Sequence, residues 1–270
     1  MKLTFLGGGN MASALIGGLL QRGFAAGDIT VADPDDAARA RLCQSYGVRC
    51  VGAPDELADG GDVLLLAVKP QQMREACAPL VGKLGAALVV SIAAGLDLAA
   101  LARFLGGHRR IVRCMPNTPA LIGAGITGLC ALPEVDAAGR AAAEQILSAA
   151  GSTVWIDDEA RMDSVTALSG SGPAYVFLFI EALQEAAAAL GFTPEQGRQL
   201  AIGTVQGAAA LAAHSNEPAA VLRQRVTSKG GTTEAALQVM AAAGVKEGIV
   251  AGVKAAEARG RELGKLLGGA

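Results

Sequence analysis

Up to about residue 155 the chain alternates between two apolar rhythms. Short aliphatic, β-branched runs (LTFLG, DITVAD, DVLLLAV, ALVVSIA) are separated by segments such as MASALIGGLLQRG and AARARLCQSYG, where Ala and Leu recur at helical spacing. RIVRCM, GITGLCA and STVWID read as further strands. Strands interleaved with helices in this way predict βαβ units and a mainly parallel sheet. Beyond Asp157 the rhythm changes, because PAYVFLFIEALQEAAAAL and QLAIGTVQGAAALAA hold helical spacing for many turns and contain no convincing strand. The boundary is expected between Asp158 and Asp163. The reading is an α/β, Rossmann-type doubly wound parallel sheet over residues 1–160, followed by an all-helical domain over residues 161–270. Several helices of the second domain are apolar nearly all round, which demands more burial than one small bundle supplies and predicts a homo-oligomer.

Composition narrows the classes of partner. A chain of 270 residues with 51% hydrophobic content can bury a substantial core and is not disordered. A formal net charge of −2 offers no basic field for nucleic acid, and 3% aromatics is too few for base stacking. The five cysteines (Cys43, Cys50, Cys77, Cys114, Cys130) contain no CxxC pair, so neither a disulfide framework nor a metal site is expected, and the thiols suit a reduced, cytoplasmic protein. MKLTFLGGGN has too short an apolar run for a signal peptide. No uninterrupted span reaches the roughly 20 residues of a membrane helix, since the best candidate is broken by Gly95, Asp97 and Arg103.

Two glycine-rich stretches carry candidate chemistry. Gly7-Gly8-Gly9-Asn10-Met11-Ala12 follows the first strand, opens a helix and fits G-x-G-x-x-A. Gly7 permits a tight turn, Gly9 lets backbone approach a pyrophosphate, Ala12 allows close packing, and the helix start offers N–H groups to phosphate. An ordinary strand-to-helix turn meets the same pattern, and the surrounding βαβ units favour the dinucleotide reading. Asp33 ends the second strand, where a carboxylate can accept from the adenine-ribose diol and repel a 2′-phosphate; this leans towards NADH over NADPH. Asp33-Pro34-Asp35 is equally a good turn and helix start. The second stretch is VTSKGGTT (Val226 to Thr233), with four hydroxyls and a glycine pair inside a helical region. It reads as a turn over Ser228 to Gly231 before a helix that Thr232 or Thr233 is placed to cap, and the unpaired N–H groups of a helix start can receive a carboxylate.

With FLGGGNMA first, the ordered stretches AVKPQ (Ala67 to Gln71), MPNTP (Met115 to Pro119), SGSGPAY (Ser169 to Tyr175) and VTSKGGTT resemble the pyrroline-5-carboxylate reductases, from Lys2 to about Gly252. The resemblance implies transfer of a hydride from NADPH or NADH to the C=N of 1-pyrroline-5-carboxylate, giving L-proline. It assigns Val68, Lys69 and Pro70 to cofactor contact and Asn117 to the nicotinamide side. Ala93 and Ala94, small residues after a strand, fit a flat ring. SGSGP would pack beside the substrate. The N–H groups of Ser228, Gly231 and Thr232 would hold the carboxylate, with Gly230 in the same loop and the Thr233 hydroxyl at the ring nitrogen, making Thr233 the catalytic candidate. It further implies a dimer sharing its helical domains, with rings up to a decamer as the larger assembly. The chain departs from the family pattern at Lys229, where proline is usual, so a more mobile loop with an added cation is expected there. His108 and His214 have no role in this reading, and Arg103, Arg109, Arg110 and Arg113 read as a solvated face. A β-hydroxyacid dehydrogenase would carry a lysine between Pro173 and Leu190, and this chain has none. A non-catalytic NAD(H)-sensing module would leave VTSKGGTT without an anion to hold.

Overall fold

The computed structural model describes residues 1–57 and 61–268. Strands β1 (Leu3–Leu6), β2 (Ile29–Ala32), β3 (Arg49–Val51), β4 (Val63–Leu66), β5 (Leu88–Ser91), β6 (Ile111–Met115), β7 (Gly125–Ala131) and β8 (Gly151–Trp155) form one sheet in the order 3-2-1-4-5-6-7-8. β7 pairs antiparallel with β6 and β8 parallel with β7, so the last two strands run against the other six. The short β6–β7 connection explains the reversal, because a parallel return needs a dozen or more residues. β3 was absent from the expected strands. It is a three-residue edge strand on β2, too short to show a period.

Helices cover both faces of the sheet: α1 (Asn10–Gln21), α2 (Asp36–Tyr46), α3 (Met73–Cys77), α4 (Leu98–Phe104), α5 (Ala137–Leu147) and α6 (Met162–Val165). Alternate strand residues serve the two faces. Leu3, Phe5, Val63 and Leu65 join Leu15, Ile16 and Leu19 of α1 in one core, while Leu6, Leu64 and Leu66 join Met73, Leu101 and Met162 in the other. This double burial is why the strands are apolar throughout instead of alternating.

After α6 the chain passes through a π turn (Thr166–Gly170) into α7 (Gly172–Ala189), then α8 (Pro194–Ala213), α9 (Ala219–Arg225), α10 (Thr232–Ala242) and α11 (Val245–Gly268). The chain divides into two compact units, Met1–Ser171 with the residues from Ala256 on, and Gly172–Ala255. The expected boundary at 160/161 therefore falls inside the first unit. Residues after 160 still pack on the sheet: Met162 is fully buried in its second core, and Val165 lies over Gly128 of β7.

In the second unit α7 and α8 pack closely through Ala187 and Gly197, and few other residues are buried. Phe177, Leu178 and Val239 stay 64–71% exposed, an apolar surface that a single chain leaves uncovered. One helical run among the described residues, Glu159–Ala189, is long and apolar enough by length and composition to cross a membrane, which corrects the expectation of none. It arises because α6, the π turn and α7 join end to end. Its first part is committed to the sheet through Met162 and Ala167, both buried.

Candidate functional site

The sheet's carboxyl edge gathers the first unit's candidate residues. Strand order reverses between β1 and β4, the place where open α/β sheets bind nucleotides. Gly7 follows β1 and donates to Ala32 O at 2.8 Å, and Ala67, just past β4, donates to Leu6 O at 2.8 Å. Val68, Lys69 and Pro70 continue from there, Ala93 and Ala94 follow β5, and Asn117 follows β6. A cavity of about 240 Å³ lies at the opposite, amino edge, beside Lys2, Thr4, Asp28 and Arg49, and none of these candidates lines it. The candidate residues follow the helix starts and strand ends, not this cavity.

The glycines of the first loop have separate duties. Gly7 has φ +101°, and a Cβ there would come within 2.8 Å of the Ala67 carbonyl, so the turn and its contact with β4 exclude a side chain. Gly9 is extended (φ −69°, ψ −174°), and a Cβ there would meet nothing within 4 Å. The fold does not require glycine at 9; an approaching ligand would. α1 has no side-chain cap, and the N–H groups of Asn10, Met11 and Ala12 have no hydrogen-bond partner among the described residues. By contrast α2, α4, α5 and α8 are capped by Asp35, Asp97, Asp136 and Thr193. An open helix start beside a side-chain-free approach fits the pyrophosphate of a dinucleotide.

Asp33 closes this loop. Its carboxylate accepts from Gly8 N at 2.6 Å and Asp35 N at 2.9 Å. Two arginines of α2 that sequence reasoning missed frame it: Arg39 donates to Asp33 O at 2.7 Å and Arg41 to Gly8 O at 3.2 Å. Their signal was present in ARARL, on the helix directly after Asp33.

Asn117 is buried. Its Oδ1 accepts from Ile126 N at 3.0 Å, and its Nδ2 donates to Ser169 O at 3.1 Å. The same edge holds a charge cluster of one buried arginine and two partly buried carboxylates. Arg113 donates to Glu159 at 3.1 Å and to Asp163 at 3.2 Å, and Glu159 also accepts from Leu98 N at 2.7 Å at the start of α4. The expected solvated arginine face is thus corrected at Arg113, whose side chain is only 7% exposed because a central strand carries it. Arg109 and Arg110 do form surface pairs, with Glu134 and Asp136. His108 bonds Ala87 O, and its burial holds its pKa below the usual value.

In the second unit the VTSKGGTT loop leads into α10. The cap position is Gly231, extended at φ −89°, with no side-chain cap bond, so neither Thr232 nor Thr233 caps the helix as expected. Gly230 takes φ +71°, and its N–H donates to Glu234 Oε2 at 2.6 Å; Gly231 N donates to Ser228 O at 3.0 Å. The N–H groups of Ser228, Thr232 and Thr233 have no partner among the described residues. They form a second open helix start, suited to a carboxylate.

A reversing parallel sheet with an uncapped, glycine-lined first helix, joined to an all-helical unit, defines a dinucleotide-dependent oxidoreductase. Residues 2–95 match the family model for NADP oxidoreductase, coenzyme F420-dependent, and residues 159–263 that for pyrroline-5-carboxylate reductase dimerisation. The chain is 44% identical over 268 residues to the pyrroline-5-carboxylate reductase of Pseudomonas aeruginosa, covering 99% of this chain and 98% of that one. Among solved structures it is similar to a pyrroline-5-carboxylate reductase from Coxiella burnetii (TM-score 0.91, 39% identity, 97% of this chain and 98% of that one). It also matches the Plasmodium falciparum pyrroline carboxylate reductase with NADP bound (TM-score 0.87, 29% identity, 98% of each chain). The chain belongs to the pyrroline-5-carboxylate reductase family. The dimerisation match covers α7, α8 and α10, the helices that carry the exposed apolar surface.

Proposed function

We propose that this chain reduces 1-pyrroline-5-carboxylate to L-proline with a nicotinamide dinucleotide as hydride donor. The observation that carries the reading is the pair of open helix starts, at α1 and α10, in a chain akin to these reductases over its whole length. When bound, the dinucleotide supplies the hydride. Asn10, Met11 and Ala12 receive its pyrophosphate on their N–H groups, Gly7 and Gly8 shape the turn, and Gly9 leaves the approach open. Val68, Lys69, Pro70, Ala93, Ala94 and Asn117 line or support the edge towards the nicotinamide. Ser228 and Thr232 receive the substrate carboxylate on free N–H groups, in a turn shaped by Gly230 and Gly231. The Thr233 hydroxyl orients the ring nitrogen. A protonated C=N is already electrophilic, so these residues act mainly by placement, and no tuned acid is required among them. The rival readings are not favoured: the chain lacks the dehydrogenase lysine, and a sensor would have no use for the second open helix start.

The first unit is assigned to the dinucleotide and the second to substrate and self-association, as a dimer that assembles further into a decamer. NADH is assigned as the preferred donor, since the Asp33 carboxylate at the end of β2 disfavours a 2′-phosphate. Arg39 and Arg41 beside it offset that charge, so NADPH is used less well and is not excluded. Five free cysteines support a reducing, cytoplasmic setting.

Oxidation of NADH and NADPH, measured side by side with 1-pyrroline-5-carboxylate as acceptor, tests the proposal. Oxidation of neither would end it, and a clear NADPH preference would remove the role given to Asp33. Thr233→Ala is expected to fold normally and to lose about tenfold in kcat, the scale of one hydrogen bond to a charged group. Unchanged kinetics in the folded variant would take Thr233 out of the mechanism.

A further inference from the structure

The turn before α7 contains a carbonyl whose ordinary helical donor is missing. In a continuous α-helix Ser169 O would accept from the N–H of residue 173, and residue 173 is proline. Locally the chain forms a π turn, in which Ser171 N donates to Thr166 O at 2.8 Å, five residues back, a bond that serves Thr166 O and not Ser169 O. The donor to Ser169 O is remote: Asn117, whose Nδ2 reaches it at 3.1 Å from 52 residues away.

The amide of Asn117 has its orientation set by both partners. Ile126 N–H must face an acceptor and Ser169 O must face a donor, so only one flip of the side chain satisfies the two. Three segments are thereby joined: the loop after β6, the start of β7, and the SGSG turn. Gly170 lies directly against the end of β6, and a Cβ there would come within 2.6 Å of Met115 Cε. At 9% exposure, Asn117 presents little of itself to any ligand.

We infer that Asn117 is a positioning residue. It supplies the hydrogen bond that Pro173 cannot give to Ser169 O, and so holds the Ser169–Ser171 turn against the carboxyl edge of the sheet, on the substrate's side of the reaction. This departs from the direct nicotinamide contact that resemblance implies for Asn117. It rests on the reductase reading for its kinetic readout alone.

The test separates the two roles by what each variant does to the cofactor and to the imine. Asn117→Ala should lower kcat with the imine, or raise its KM, by about tenfold, the scale of one buried hydrogen bond, while the Kd of NADH and NADPH stays within about twofold. A tenfold loss of dinucleotide affinity with unchanged imine kinetics would overturn the inference in favour of direct contact. Pro173→Ala returns an N–H to position 173. Combined with Asn117→Ala it should recover part of the lost kcat/KM and of the lost Tm, measured against Pro173→Ala alone, the share that belongs to Ser169 O; the bond to Ile126 N stays lost. Strictly additive losses in the double variant would overturn the inference. If Asn117→Ala alone fails to fold, recovery of folded protein in the double variant is the expected result, and continued failure counts against it. The Tm cycle needs no substrate, so it stands even if the wild-type protein proves inactive on the imine.

Discussion

Replacing Gly9 with alanine isolates the ligand's demand on the first loop from the fold's. Gly9 has backbone angles open to any L-residue, and the added Cβ meets nothing within 4 Å. The apoprotein should therefore fold as before, with stability unchanged or raised by about 0.4–1 kcal/mol through a less flexible unfolded chain. The methyl group would intrude on the side-chain-free approach that Gly9 leaves open beside the N–H groups of Asn10, Met11 and Ala12. Losing one charge-assisted hydrogen bond to pyrophosphate costs about 1.5–3 kcal/mol, which raises Kd by about 10- to 150-fold. The pyrophosphate is common to both dinucleotides, so NADH and NADPH should weaken together. Titration calorimetry and thermal melts of the same preparations measure the two halves. Gly7→Ala is the contrast: φ +101° and a Cβ 2.8 Å from the Ala67 carbonyl should cost well above the ~1–2 kcal/mol of a left-handed residue and lower the Tm before any ligand is added. Dinucleotide affinity in Gly9→Ala within twofold of wild type, or a melt as depressed as that of Gly7→Ala, would refute the assignment.

Arg113→Met leaves Glu159 and Asp163 facing each other without their cation. Those carboxylates are 31% and 22% exposed, so the usual cost of breaking a buried pair is discounted to about 2–3 kcal/mol, a Tm lower by about 5–10 °C; a shift under 2 °C would place Arg113 outside the stability of this edge. His108 is held below its usual 6.5 by burial, so the unfolded chain binds the proton more readily, and stability should fall as pH drops below about 6.5. His108→Gln should flatten the stability profile in that window, and an identical slope in denaturant melts at pH 5.5 and 7.5 would contradict this. Burial pushes the Cys77 thiol up to about 12 and Cys114 well above its usual value, whereas Cys43 is exposed. Alkylation of the native protein at pH 8, read by mass spectrometry, should mark Cys43 and leave Cys77 and Cys114 until denaturant is added.

Much of the sheet was legible because each central strand is buried on both faces and so writes an unbroken apolar run, as VLLL does in β4. β3 was not, since Arg-Cys-Val at an edge has neither length nor period. The direction of β7 lay in a connection too short for a parallel return, a signal of loop length that residue type does not carry. The boundary read at 160/161 marks where helical spacing starts, near α6 and the start of the dimerisation match, whereas packing on the sheet continues to Ser171.

At the site, sequence alone determined which positions lack a side chain, an N–H or a neutral surface: Gly7 and Gly9, Pro173, Arg113. What each of these serves was decided by the tertiary structure, because the deciding partners come from far along the chain. Glu159 and Asp163 reach Arg113 across 46 and 50 residues, and Ser169 meets Asn117 across 52. A hydrogen bond is satisfied in space, so the chain's order shows which groups seek partners, and only the fold shows which remain free for a ligand.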